Sequence, residues 1–362
     1  MIRLRLAGGL QSSTQGRLFS SSAGNLPVTP KTAGDSWACQ WHLQSAKNRT
    51  NIPLEAINAP STLPIDVDTT RNPSVSTFRH YLNLGKGFVR LYKSGIANVW
   101  RDRRNRRELM AKYKISNSHA LTQYILDRSF AQSIERSKDG DPRPEPAVPK
   151  KDHITRSEYQ LILRNGPDFL KLPFFAVIFA IFFETTPLLV LLFPRITPST
   201  CVLPYQTKKD IARANSAIKD LEKFRKEEPS LQDLAASVHR LSKDELHALG
   251  NVFLYNRLVP AKLVPTSILR NLITRHLDQV CADNILLSRF GSVWTLNDKE
   301  VVRACIARAI PTVNKTQTQM RADLLLWMSN YMQGRYDAGF YFHQLSTDAE
   351  EAGDMMKMVD SK

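Results

Sequence analysis

The sequence predicts an all-α protein with one transmembrane helix, a small helical C-terminal domain and a disordered N-terminus. The first observation is a predominantly apolar run at residues 172–193. The second is the helical spacing of apolar residues before and after that run. The third is a proline-studded stretch without periodicity at residues 25–75. The chain of 362 residues has room for two modest domains, and its mean hydropathy of −0.31 indicates that most of it is soluble.

Residues 1–20 have the composition of a mitochondrial transit peptide. They are rich in arginine and serine, and no acidic residue occurs before Asp35. The sequence following Arg17 resembles a matrix processing site. An unstructured cytosolic tail is the alternative interpretation. We expect import into mitochondria, followed by a disordered segment at residues 21–78.

Residues 79–140 form a basic, helical and amphipathic region, and a proline-rich linker follows at residues 141–152. The formal charge of the chain is +16, which implies contact with an acidic partner such as RNA, a ribosome or anionic lipid. An ordinary solvated helix is the alternative. Five arginines within seven residues are candidate contacts to phosphates of RNA or lipid: Arg101, Arg103, Arg104, Arg106 and Arg107.

The run from Leu172 to Phe193 is interpreted as the membrane span, with its outer limit at residue 194. Seventeen of its 22 residues are apolar, and a helix of this length covers roughly 33 Å against a hydrocarbon core of about 30 Å. A buried helix of a soluble protein is the alternative. Glu184 near the midpoint and Pro187 after it are candidate functional residues, for proton or cation handling, for a structural hydrogen bond, or for the interface of a homo-oligomer.

Residues 153–334 hold the span and a helical C-terminal region, and a tail follows at residues 335–362. Two similar segments begin with Ser242 and Asn297, each placed three residues before a glutamate, as at the start of a helix. Each continues through an extended loop into an arginine-bearing helix, and the arginines are the candidate contacts Arg270 and Arg321. We expect two packed helix–loop–helix units.

No catalytic, cofactor or metal site is predicted. The chain lacks a nucleophile–base pattern, HExxH and a dinucleotide fingerprint, and its eight histidines are scattered. The four cysteines are far apart without a CxxC pair, so buried thiols are expected rather than disulfides or zinc. We therefore expect neither an enzyme nor a small-molecule substrate.

Several segments resemble the Letm family of mitochondrial inner-membrane proteins. The resemblance rests on the residues around Glu184 and Pro187, on Pro198-Ser199-Thr200, on Thr155-Arg156 with Glu158, and on His80-Tyr81. It implies a Letm-type ribosome-binding region at residues 153–334, facing the matrix. The family's long coiled coils and EF-hand are missing, so the chain resembles a short member.

Two functions follow from this resemblance as hypotheses. The first is a single-pass inner-membrane anchor that binds the mitochondrial ribosome, contacts inner-membrane lipids and supports membrane protein insertion. The second is a component of monovalent cation (K⁺)/H⁺ exchange and volume homeostasis. One span cannot enclose a pathway, so the second hypothesis requires self-association.

Overall fold

The computed structural model describes residues 53–67, 70, 76–139, 154–181, 197–227, 229–255, 259–289, 292–333, 336–343 and 353–354. Throughout this part of the chain the regular structure is helical, as predicted. The α-helices are α1 (Thr77–Lys112), α2 (Ser118–Asp139), α3 (Arg156–Ile181), α4 (Pro204–Leu221), α5 (Leu231–Leu234), α6 (Lys243–Phe253), α7 (Thr266–Arg289), α8 (Asp298–Ala307) and α9 (Gln317–Gln333). Short 3₁₀ turns occupy Leu54–Ala56, Pro60–Thr62, Ser199–Cys201, Glu222–Phe224, Ala261–Leu263, Ser292–Thr295 and Ala338–Phe342.

Most helices enclose one core, which α6 to α9 dominate. The predicted core residues are confirmed: seven are at most 2% exposed, and two more, Phe253 and Leu272, pack against the core from its edge. The seven are Leu246, Leu249, Leu269, Leu277, Leu324, Leu325 and Trp327.

Two segments assigned to the disordered region and the tail also belong to this core. Ile57 has no exposed surface, and Phe340 and Tyr341 are almost completely buried. The tail segment packs aromatic rings against Trp327, with centroids 5.4–5.5 Å apart. These short segments have too few residues for a detectable period, so their burial is visible only in three dimensions.

A buried ionic network fastens the start of α3 to α7 and α8. The Arg156 guanidinium donates to Asp283 at 2.8 Å and to Glu300 at 3.2 Å, and also to the carbonyl of Ile57 at 3.0 Å. Arg164, two turns further along α3, also donates to Glu300. Burial opposes the ionisation of Glu300, but the two arginines outweigh it and hold the pKa of this carboxyl well below its ordinary value.

The predicted helix starts are confirmed by their caps. Ser242 accepts a bond from the backbone N–H of Glu245 at 3.3 Å, and Asn297 accepts one from that of Glu300 at 2.8 Å. In the first unit Glu245 also accepts a bond from the N–H of Ser242, at 2.8 Å. In the second unit the equivalent Glu300 turns into the ionic network instead, so the two units have diverged at this position.

The predicted transmembrane helix is not found. In the described ranges no helix is both long and apolar enough to cross a membrane. Residues 172–181 form the last part of α3, where Leu172 and Phe175 are only 2% and 1% exposed and Phe175 packs on Tyr92 of α1, Cys201 and Leu203. The remainder of the predicted span, residues 182–194, lies outside the described residues.

Candidate functional site

Helices α1 and α3 form an antiparallel pair, and the candidate functional surface lies on this pair. Tyr92 of α1 lies 5.7 Å from Phe175 of α3 between ring centroids, and further along α1, Trp100 lies 5.6 Å from Phe169. The contact residues thus rise in number along α1 as they fall in number along α3, so the two helices run antiparallel. Beyond these rings, the Asn165 side chain of α3 donates to the carbonyl of Val99 of α1 at 3.0 Å.

The outer side of α1 is basic along its length. The helix has 36 residues, about 54 Å at 1.5 Å per residue, and Ser76 caps its start, because the Ser76 hydroxyl accepts a bond from the N–H of Arg79. Exposed cations recur at intervals of three, four, seven or eight residues, which places them on one side of the helix. We call these residues the basic stripe: Arg79, Lys86, Arg90, Lys93, Arg101 and Arg104.

The predicted arginine cluster is divided between two sides of α1. Arg101, Arg104 and Arg107 are exposed, whereas Arg103 and Arg106 are partly buried towards α3. The Arg103 guanidinium lies over the ring of Phe169, 4.6 Å from its centroid. Three members of the cluster therefore reach solvent, where Arg104 also pairs with Glu108 at 3.2 Å, and two contribute to packing.

Helix α3 exposes a row of large apolar side chains. Leu170, Phe174, Val177 and Ile181 are 74%, 70%, 57% and 68% exposed. Their spacing of four, three and four residues places them on one side of the helix. We call these four residues the apolar stripe. Contiguous exposed apolar surface of this kind marks a binding surface for another protein or for lipid.

The two stripes adjoin at an aromatic contact. Trp100 is 60% exposed beside the basic stripe, and the Phe169 ring against which it packs edge-on directly precedes Leu170 of the apolar stripe. From one side of the helix pair to the other, the surface therefore changes from the basic stripe to Trp100 and then to the apolar stripe. This is the order of residue types at a membrane–water interface.

A buried carboxyl lies between the paired helices. Asp102 is 2% exposed, and its Oδ1 atom has no hydrogen-bond partner in the described part of the chain. Burial raises the pKa of Asp102 to about 6, with Asp168 adding to the rise. The carboxyl faces away from the exposed side of α1, so it belongs to neither stripe.

The other predicted site residues lie elsewhere or outside the described residues. Arg321 donates to the carbonyls of Val293 and Leu296, both at 2.8 Å, and so holds the turn before α8. Arg270 is partly buried near the start of α7, far along the chain from the paired helices. Glu184 and Pro187 fall outside the described residues.

The sequence interpretation overlooked the apolar stripe as a surface, because all its residues except Leu170 were counted within a spanning helix. The sequence holds no signal that separates the two sides, because every residue from Leu170 to Ile181 except Lys171 is apolar. For metals, the structure brings together no set of three His, Cys, Asp or Glu side chains among the residues that it describes.

The fold and surface define an all-helical protein with an amphipathic helix pair on a compact helical body. Residues 49–289 match the profile of the pentamidine resistance factor domain, PNT1. This match covers about two thirds of the chain, and the protein belongs to the PNT1 family. Comparison with curated proteins and with solved structures gave no match. The family is associated with mitochondria, in agreement with the predicted transit peptide.

The family assignment corrects the resemblance stated above. No Letm domain is detected, so the Letm resemblance and the ribosome-binding anchor inferred from it are wrong, and the K⁺/H⁺ exchange alternative is unsupported. The motif around Glu184 led to the wrong family because apolar runs contain few residue types. Short matches between two such runs therefore carry little information about relationship. The predictions of a transmembrane helix and of a single-pass topology are wrong as well, because no helix among the described residues can cross a membrane.

Proposed function

We propose that this protein is a non-enzymatic mitochondrial protein that binds the surface of an anionic membrane through the α1–α3 pair. The observation that carries the proposal is the apolar stripe of α3, exposed to solvent and bordered through Trp100 by the basic stripe of α1. The apolar stripe enters the boundary between headgroups and acyl chains. The basic stripe stays at the level of the headgroup phosphates.

Two kinds of attraction support this mode of binding. A fully buried Leu, Phe, Val or Ile side chain contributes about 1.5–3 kcal/mol relative to an exposed one. A Lys or Arg close to an anionic leaflet contributes about 1 kcal/mol. One weak signal gives reversible binding, and stable attachment needs two, which is what the pair provides.

The membrane that we propose is the matrix face of the inner membrane. The predicted transit peptide with its matrix processing site would deliver the chain to the matrix. There the inner membrane presents an anionic lipid surface. The formal charge of +16 favours accumulation of the protein at such a surface.

Vesicle flotation of the full chain tests the proposal. We expect the wild-type protein to float with anionic vesicles and much less with neutral ones. The Phe174→Glu/Val177→Glu variant should bind at least about ten-fold more weakly, because two inserted apolar groups become charged. Reversing the charges of Arg90 and Lys93 should weaken binding by a similar factor. Added salt should reduce the difference between this variant and the wild type, because salt screens the electrostatic attraction to the vesicle.

Matched changes away from the pair provide the controls. Leu263→Glu places a charge at a side chain that is 74% exposed in the body, and Arg240→Glu/Lys243→Glu reverses two exposed charges before and at the start of α6. Both control variants should bind like the wild type. Equal binding by the pair variants and their controls would disprove the proposed surface.

A further inference from the structure

A cavity of about 560 Å³ lies between the first half of α1 and the segment at residues 65–67. This volume is within the range of sites that bind small molecules in proteins. The residues of α1 that line the cavity are spaced at one, three or four positions, so they lie on one side of the helix. They are His80, Asn83, Leu84, Gly87, Arg90 and Ser94. We call this cavity the α1 pocket.

The wall opposite α1 is held in place by the body of the protein. Lys299 of α8 donates to the carbonyl of Pro64 at 3.2 Å and pairs with Asp66 at 2.7 Å. Ile65 and Val67 pack against the smaller buried cluster, which joins α1 to α3. The pocket is therefore formed before a ligand arrives, and binding loses little to the ordering of its wall.

The wall approaches α1 most closely at Gly87. A Cβ atom there would lie 2.9 Å from Cγ1 of Val67, whereas one at Gly85 would meet open space. A side chain at position 87 must therefore displace Val67 or project into the cavity. The glycine, which is unfavourable inside a helix, leaves the pocket open.

The pocket carries a positive charge that is not compensated within the described part of the chain. The Arg90 guanidinium has neither an ion-pair nor a hydrogen-bond partner there. The carboxylate of Asp66 also lines the pocket, but it is already paired with Lys299. Counting these three groups leaves one net positive charge, which favours an anionic ligand.

Neutral polar groups accompany this charge. His80 and Asn83 supply N–H donors. The Ser94 hydroxyl donates to the carbonyl of Leu91 at 3.1 Å, so its oxygen is left as an acceptor for a ligand hydroxyl. The lining thus suits an anion whose remaining groups both accept and donate hydrogen bonds.

We infer that the α1 pocket binds a phosphate ester of a small polyol. The fork of the Arg90 guanidinium matches phosphate oxygens, Asn83 and Ser94 bind the polyol hydroxyls, and Leu84 and Val67 cover the carbon skeleton. The ester is either soluble or the headgroup of a phospholipid, because the recognised chemistry is the same.

The choice of phosphate over carboxylate rests on the proposed function. Arg90 belongs both to this lining and to the basic stripe, which that proposal places at the level of the headgroup phosphates. The pocket therefore opens beside the surface that meets the lipid.

Calorimetry with the full chain and without vesicles tests the pocket. The ligands are glycerol 3-phosphate, glycerate and glycerophosphoglycerol, which is the deacylated headgroup of phosphatidylglycerol. We expect both phosphate esters to bind, and glycerate to bind more weakly than either. Arg90→Gln should weaken the binding of both esters about ten-fold or more, because charge-assisted hydrogen bonds are lost.

A second variant tests the cavity itself. Gly87→Leu fills the space without changing the charge and should abolish the binding of both esters. Arg90 is exposed and unpaired in the described residues, so Arg90→Gln keeps the test decisive if Gly87→Leu does not fold. The control is Arg240→Gln, which removes an exposed arginine outside the pocket and should bind both esters like the wild type.

The order of the two affinities identifies the source of the ligand. Tighter binding of glycerophosphoglycerol indicates a lipid headgroup, and tighter binding of glycerol 3-phosphate indicates a soluble ester. Either order supports the pocket if Arg90 is required. Wild-type affinity in Arg90→Gln, tighter binding of glycerate, or binding of neither ester would overturn it.

The result is separable from vesicle flotation because no bilayer is present. Arg90-dependent binding of an ester by a chain that does not float would reject the membrane surface and keep the pocket. Flotation without ester binding would reject the pocket alone.

Discussion

At the scale of single residues, Glu300 shows how one side chain can have a local and a distant role. Its position three residues after Asn297 predicts a helix start, and its backbone N–H makes that capping bond. Its carboxylate binds Arg156 and Arg164, which precede it by 144 and 136 residues. The cap follows from spacing along the chain. The ion pairs do not, because no sequence period relates residues so far apart.

Replacing Glu300 by Gln should destabilise the fold by about 3–5 kcal/mol, because two guanidinium groups lose a shared carboxylate in the interior. The exposed pair of Arg104 with Glu108 provides a matched control. Both of its side chains are more than half exposed, so Glu108→Gln should change stability by less than about 1 kcal/mol. Urea unfolding measures both changes, and equal effects would show that the network does not support the fold.

The same carboxyl should make stability depend on acid. The pKa of Glu300 is lower in the folded chain than in the unfolded chain, so its contribution is complete above the unfolded value and is lost as the pH falls towards the folded value. We expect the stability difference between wild type and Glu300→Gln to shrink when unfolding is measured at pH 3 instead of pH 7. A difference that is constant with pH would contradict the assignment.

At the scale of elements, the main finding is that α3 is divided lengthwise. Leu172 and Phe175 are buried, with Phe175 against α1, and Phe174 and Val177 face solvent. Hydropathy alone predicts a helix that is apolar all round, and this is why the sequence indicated a membrane span. The inward side could not be predicted because its partner, α1, begins almost 80 residues before the start of α3.

Helix α1 meets the 199–203 segment at a glycine. A Cβ atom at Gly95 would lie 2.5 Å from the sulfur of Cys201 and 2.8 Å from the carbonyl oxygen of Thr200. Gly95→Ala should therefore destabilise by about 1–3 kcal/mol, because the segment must move away from the helix. Gly85→Ala is the control in the same helix: it has open space and should stabilise by up to about 1 kcal/mol. Thermal unfolding distinguishes them, and a neutral Gly95→Ala would refute this packing.

At the scale of the whole molecule, the chain combines a closed helical body with an amphipathic pair. The sequence predicted the helical class, the capped repeat and the core residues, which are confirmed. Of the four thiols predicted to be buried, those of Cys201, Cys281 and Cys305 are buried, and Cys39 lies outside the described residues. Those features depend on local spacing and residue type. The family, the burial of Ile57 and the orientation of α3 depend on features that a short motif does not contain.

Bilayer depth at residue 174 tests the membrane account most directly. The full chain with Phe174→Trp, and separately with Leu263→Trp, is bound to anionic vesicles whose acyl chains carry bromine, and the quenching beyond that of the wild type is measured. We predict that the tryptophan at 174 is quenched and that the one at 263 is not. Equal or absent quenching at the two positions would contradict insertion of the apolar stripe, and with it the proposed membrane surface.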